Sequence, residues 1–221
     1  MSILPATAAE ALSLIEKAEN AQADLIEVRL DSFKDYSKLA DVATHGKAPK
    51  IAACKPHRLH GKFSGTETEQ QQLLLNAAKS GFAYVDVDLT QPKLSETVKE
   101  LKRFGTKLIV SFHVFAETPS TAELDKVLER EIALGADVCK IVTTAKCIED
   151  NLALLNFTAS ACNKATLVCF AMGELGKVSR FLSPLFGGYF TFASLERGSE
   201  TAAGQMTIQE MRSAYELLGL K

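Results

Sequence analysis

The chain has 221 residues, 47% of them hydrophobic, enough for one large core and suited to a single domain spanning 1–221. Its 25 Lys and Arg balance 27 Asp and Glu without blocks of either sign, which argues against nucleic acid or an anionic membrane as the partner and leaves a small molecule. Five cysteines without CxxC spacing argue against a disulfide framework or a structural zinc site. There is no basic, apolar leader, and no apolar run approaches the roughly 20 residues that span a bilayer. A cytoplasmic protein is therefore expected.

In chain order, strands and helices alternate. Residues 2–4 make a short first strand; Pro5 and Thr7 then lead into a helix over 8–20. DLIEVRLD at 24–31 reads as a strand, 35–44 as a weaker helix, and 50–54 as the third strand. The polar stretch KPHRLHGKFSG that follows is expected to be a mobile lid. Helix 66–79, strand 82–89, helix 94–104, strand 107–112 and helix 120–134 come next. The series ends with strand 136–143, helix 146–161, strand 166–170, helix 175–182, strand 189–193 and helix 208–218. Eight β/α units in a chain of this length predict an α/β fold, a closed parallel (β/α)8 TIM barrel trimmed from the typical ~250 residues. A doubly wound open sheet is the alternative, but no strand runs into GxGxxG or GxxxxGK[ST].

In a barrel, strand residues alternate between the helices and the interior, and the C-terminal strand ends carry the site. This parity turns Glu27, Arg29 and Asp31 inward on the second strand and Asp86 and Asp88 inward on the fourth. It places Ser111 and His113 inside on the fifth and Lys140 inside on the sixth, beside Val138 and Val142. A lysine within an apolar, β-branched strand is an edge guard, an ion-pair partner or a nucleophile of lowered pKa. Each of the other polar residues has a bland reading too, as a buried ion pair, a loop cap or a satisfied core histidine. Their convergence at one end of a barrel points instead to a site. His57 and His60 read as solvated loop residues with no third ligand, and Phe115, Phe170, Met172 and Phe192 read as core packing.

EVRLD at 27–31, SFHVFAETP at 111–119, DVCKIV at 137–142, MGELGKVSR at 172–180 and TAAGQ at 201–205 together resemble the ordered motifs of type I 3-dehydroquinate dehydratase. The resemblance covers nearly the whole chain. It implies a (β/α)8 enzyme, usually a homodimer free of metal and organic cofactor, that dehydrates 3-dehydroquinate to 3-dehydroshikimate. It also implies that Lys140 forms a Schiff base with the substrate ketone and that His113 shuttles the proton. Glu27, Arg29, Arg180, Thr201 and Gln205 match substrate-binding positions, Arg180 and Gln205 those that hold the carboxylate. Phe115, Met172, Phe192 and Ala202 match pocket-lining positions. Arg29 would lower the pKa of Lys140 while Glu27, Asp86 and Asp88 raise it.

Two departures stand out. Val114 replaces an aspartate next to the histidine, and after the third strand Lys55 stands for an arginine and Leu59 for a glutamate. Lysine keeps the charge, so Lys55 is still expected to bind substrate, but it loses the bidentate fork. Without that glutamate, Asp86 is the expected carboxylate partner of His113. Two other readings are a Schiff-base aldolase acting on a sugar phosphate and a barrel that only binds a small acid.

Overall fold

A computed structural model describes residues 1–219. Seven strands form one parallel sheet in sequence order: β1 (Ser2–Ile3), β2 (Ile26–Arg29), β3 (Lys50–Ala53), β4 (Tyr84–Asp88), β5 (Lys107–His113), β6 (Val138–Thr144) and β7 (Leu167–Met172). Between and after them run α1 (Ala8–Asn20), α2 (Leu39–Thr44), α3 (Glu67–Lys79), α4 (Leu94–Lys102), α5 (Thr121–Ala133), α6 (Glu149–Ala161), α7 (Lys177–Leu182) and α8 (Ile208–Leu217). The helix starts are written in the sequence. Thr66 with Glu69 and Thr207 with Glu210 close reciprocal capping boxes that satisfy otherwise orphaned backbone N–H groups.

The expected eighth strand at 189–193 is not a regular strand. The segment fills that position with one backbone bond to each side: Tyr189 N donates to Leu167 O of β7, and Ser2 N of β1 donates to Ala193 O. On the β1 side a longer ladder has no partner, because β1 is two residues long. The ring is nonetheless bridged there, and the chain has the curled (β/α)8 barrel architecture. The second strand also ends early, at Arg29, as the chain turns into a 3-10 segment at Leu30–Ser32; α2 begins four residues later than its pattern suggests.

Strand alternation divides the core. Ile26, Val28, Val85, Val87, Cys139 and Ile141 join the layer under the helices, whereas Ile51, Tyr84, Ile109, Val138, Val142, Val168, Phe170 and Phe192 pack inside the barrel. Burying such apolar area contributes roughly 25 cal/mol per Å2. The interior layer forms the apolar floor from which polar side chains rise at the C-terminal strand ends.

Candidate active site

The C-terminal strand ends open into a cavity of about 1150 Å3. Lys140, 4% exposed, is held on the inner face of β6 by the Val138 and Val142 alternation. Its ammonium lies 2.8 Å from Asp86 Oδ2, 3.4 Å from Glu27 Oε2 and 4.3 Å from the Phe192 ring centroid. The other oxygen of Asp86 accepts from Lys55 Nζ at 2.6 Å and from Ser111 Oγ at 2.7 Å. Lys55 also donates to Ser111 Oγ at 3.0 Å, and Ser2 Oγ donates to Glu27 Oε1 at 2.6 Å. Burial favours the neutral amine at Lys140, but Asp86 and then Glu27 outweigh it and hold the group above the ordinary lysine range. Burial likewise opposes ionisation of Asp86, yet Lys140 and Lys55 hold its carboxyl far below the usual carboxylate range.

His113 ends β5 and borders the same cavity. Burial first, then the Lys55 and Lys140 charges, push it well below the ordinary histidine range, so the imidazole is neutral. Its Nδ1 is buried without a hydrogen-bond partner. Phe115 stacks 6.1 Å from the His113 ring, and His60 stacks on Phe115 at 4.1 Å.

Opposite these groups, Arg180 on α7 is 2% exposed and has no carboxylate partner among the described residues. Its Nη2 donates to Ala203 O at 3.2 Å and its guanidinium lies 4.4 Å from the Phe170 ring centroid. Burial lowers its pKa to about 10, which leaves it charged at neutral pH. The neighbouring loop is locked on itself. Thr201 N donates to Gln205 Oε1 at 2.8 Å and Gln205 Nε2 donates to Thr201 Oγ1 at 3.1 Å. Gly204, at φ +78°, passes so near the Gly173 carbonyl that a Cβ would collide with it, which seats the loop against the end of β7.

The family model for type I 3-dehydroquinase matches residues 1–221. The chain belongs to the type I 3-dehydroquinase family. A 3-dehydroquinate dehydratase of Dehalococcoides mccartyi is 39% identical over 205 residues, covering 91% of this chain and 88% of that protein. Among solved structures, the 3-dehydroquinate dehydratase of Geobacillus kaustophilus superposes with a TM-score of 0.90 at 26% identity, covering 99% of this chain and 89% of that one. That of Aquifex aeolicus superposes at 0.80 with 27% identity, covering 98% of each chain.

Within this type I barrel, Glu27, Arg29, Lys55, His113, Phe115, Lys140, Met172, Arg180, Phe192, Thr201, Ala202 and Gln205 all border one cavity. Asp86 lies beneath it, through its contacts with Lys55 and Lys140. The contacts refine several expectations. Asp86 is engaged by the two lysines, and the carboxylate facing His113 is Asp88, whose Oδ2 stands 4.0 Å from Nδ1. Arg29 is forked onto Asp31 at 2.7 and 2.8 Å, and the charges that weigh most on Lys140 are those of Asp86 and then Glu27. Lys55 begins the polar stretch yet is buried, since a parallel bridge between Pro56 and Phe63 folds the segment over the barrel mouth. His60 is exposed as expected, but it also lines the cavity against Phe115. Phe170 and Phe192 pack in the interior and line the cavity at once, so core and pocket are not alternatives for them.

Sequence reasoning missed Ser111 as a site residue, although parity had turned it inward beside His113. Its signal was a hydroxyl on a strand face that also carries Ile109, and its partners Lys55 and Asp86 come from the segment after β3 and from β4.

Proposed function

We propose that this chain dehydrates 3-dehydroquinate to 3-dehydroshikimate through an imine on Lys140, with His113 carrying the proton. The observation that carries this reading is a buried lysine on the strand next to a neutral histidine, both opening on one cavity whose far side holds a buried arginine without a counter-ion. The amine adds to the substrate ketone and water leaves, giving a protonated imine that draws electrons from the adjacent carbon. His113 takes the proton from that carbon and returns it to the departing hydroxyl, which leaves as water. Hydrolysis of the imine then releases the product and restores Lys140.

Arg180 is suited to the substrate carboxylate, being charged, forked and already desolvated. Gln205 and Thr201 complete that end of the cavity. Glu27, beside the Lys140 amine, is placed to bind a substrate hydroxyl. Arg29 orders the loop indirectly: it fixes Asp31, whose Oδ2 accepts from Lys62 N at 2.9 Å.

The whole chain acts as one barrel domain and pairs as a homodimer in the cytoplasm. Pairing is supported by Ile148 just before α6, Leu152 on α6, Leu175 in the turn between β7 and α7, and Val178 on α7, all of which stay exposed. Asn151 joins these elements through Leu175 O and Ser179 N. The cytoplasm is supported by five unpaired cysteines, and no helix among the described residues is long and apolar enough to cross a membrane.

Borohydride reduction in the presence of 3-dehydroquinate tests the chemistry. A product-derived mass on the Lys140 peptide is expected. An adduct on Lys55, Lys107 or Lys146, or none with turning-over enzyme, refutes the assignment.

A further inference from the structure

We propose that Asp88 is the residue that positions and polarises His113, and that Arg58 couples it to the segment over the barrel mouth. This rests on the reading of Lys140 and His113 above. Two buried polar atoms at the site lack hydrogen-bond partners and face one another, Asp88 Oδ2 and His113 Nδ1, 4.0 Å apart. The other carboxylate oxygen is committed. Asp88 Oδ1 accepts from Thr90 N at 3.0 Å, from Thr90 Oγ1, and from Arg58 Nη1 at 3.4 Å, while Arg58 also donates to Thr90 Oγ1 at 2.8 Å.

Leaving a buried carboxylate oxygen and a buried imidazole nitrogen unpaired is costly, and a movement of about 1 Å brings them within hydrogen-bond range. The bond fixes the tautomer. With Nδ1–H donated to Asp88, the lone pair sits on Nε2, and the buried state of Nδ1 leaves Nε2 as the nitrogen available to the cavity. When Nε2 takes a proton, Asp88 stabilises the imidazolium against the surrounding cations.

The other inward carboxylates are occupied. Asp86 is bound by Lys55 and Lys140, Asp31 by Arg29, and Glu27 by Lys140 and Ser2, while Leu59 of the covering segment lines the cavity without a polar group. Arg58 sits in the 3-10 turn His57–Leu59, beside Leu59, which lines the cavity, and before His60, which stacks on Phe115. The same turn that covers the cavity thus touches the carboxylate behind the histidine.

The test measures kcat, KM and their pH dependence in Asp88→Asn, Asp88→Glu and Arg58→Gln, with borohydride trapping on each. The charged groups around His113 are Lys55 after β3, Lys140 on β6, Arg29 on β2, and Asp86 and Asp88 on β4, with Arg58 behind Asp88. Only Asp88 or its neighbour Arg58 changes in each variant. Asp88→Asn removes the negative charge that favours the imidazolium, so the acidic limb of the kcat profile moves to lower pH. Its kcat falls at least about ten-fold, but by no more than the ~10²–10⁴ that a general acid–base group contributes. KM changes little and the Lys140 adduct still forms. Asp88→Glu restores most of kcat.

Arg58→Gln leaves Asp88 less neutralised, so its acidic limb moves the opposite way, to higher pH. Opposite shifts in the two variants support the proposal; an unmoved limb in either overturns it. Should Asp88→Asn fail to fold, the half-exposed Arg58 still decides. Absence of a Lys140 adduct in the unaltered protein would instead refute the underlying reading, a result separable from any limb shift.

Discussion

Asp86→Asn tests the ion network under the cavity. One carboxylate there lies between two buried ammonium groups, 2.6 Å from Lys55 and 2.8 Å from Lys140, with all three side chains less than a tenth exposed. The amide has the same shape, but it supplies no charge and turns an N–H2 donor toward one of the lysines. Removing one partner of a buried pair costs about 3–5 kcal/mol, because the remaining charge stays desolvated and uncompensated. For a chain of this length that corresponds to a Tm lower by roughly 6–20 °C. Lys140→Met removes a cation instead and leaves Asp86 bound to Lys55 and Ser111 and Glu27 bound to Ser2, so its loss of stability should be the smaller of the two. The acid limb separates the two further. Asp86 has a depressed folded pKa, so its contribution is full above its ordinary value of 3.8 and is lost progressively as pH falls from there through the depressed value. Asp86→Asn lacks that contribution at every pH, and its melting temperature therefore approaches that of the unaltered protein in acid. Thermal melts between pH 3 and 8 measure both effects, and equal losses in the two variants would refute the reasoning.

Three further outcomes are expected. Arg180→Lys keeps a charge but loses the fork; a charged hydrogen bond contributes about 1.5–3 kcal/mol, so KM for 3-dehydroquinate rises roughly 10–100-fold, and an unchanged KM removes Arg180 from substrate binding. Glu131→Gln should stabilise the protein at pH 7 to 8. Glu131 is fully buried with only weak contacts to the Cys139 thiol and the Lys140 backbone, and burial raises its pKa well above 4.5, so the acid form contributes fully below 4.5 and that stability is lost as pH rises through the shifted value. A Tm no higher than that of the unaltered protein would contradict this. Leu152→Lys on the exposed apolar face should yield a monomer in sedimentation velocity, and an unchanged mass would place any pairing surface elsewhere.

Strand parity made most of the site legible, because a period of two is local and each inward residue follows from its apolar neighbours. Lys140 between Val138 and Val142 and His113 two residues after Ser111 are of this kind. What parity does not encode is which inward group touches which. Asp86 and Asp88 share a face and differ by one repeat, yet β6 delivers Lys140 to the first and β5 delivers His113 to the second. The family pattern singled out Lys55, but the polar letters of the segment after β3 did not show its burial, since the anion that compensates it lies 31 residues further along the chain. Glu131 was legible and overlooked. It continues the stripe Leu124, Val127, Leu128 at helical spacing, so the face it shares is the buried one.

The charge on Lys140 orders the proposed chemistry. Its amine rests as an ammonium between Asp86 and Glu27, and an ammonium has no lone pair to offer a ketone. Asp86 is a poor acceptor for the proton that must leave, because Lys55 and Ser111 keep it ionised even after Lys140 is discharged. His113 is neutral and borders the same cavity, and Lys140 is one of the cations that suppress its basicity. Discharging Lys140 therefore frees the nucleophile and strengthens the base in one event. When the imine forms and is protonated, the positive charge returns to the Lys140 nitrogen, between the carboxylates that held the ammonium. The carboxylates that delay the first step thus stabilise the cation on which the second depends, and burial of the site makes both effects large.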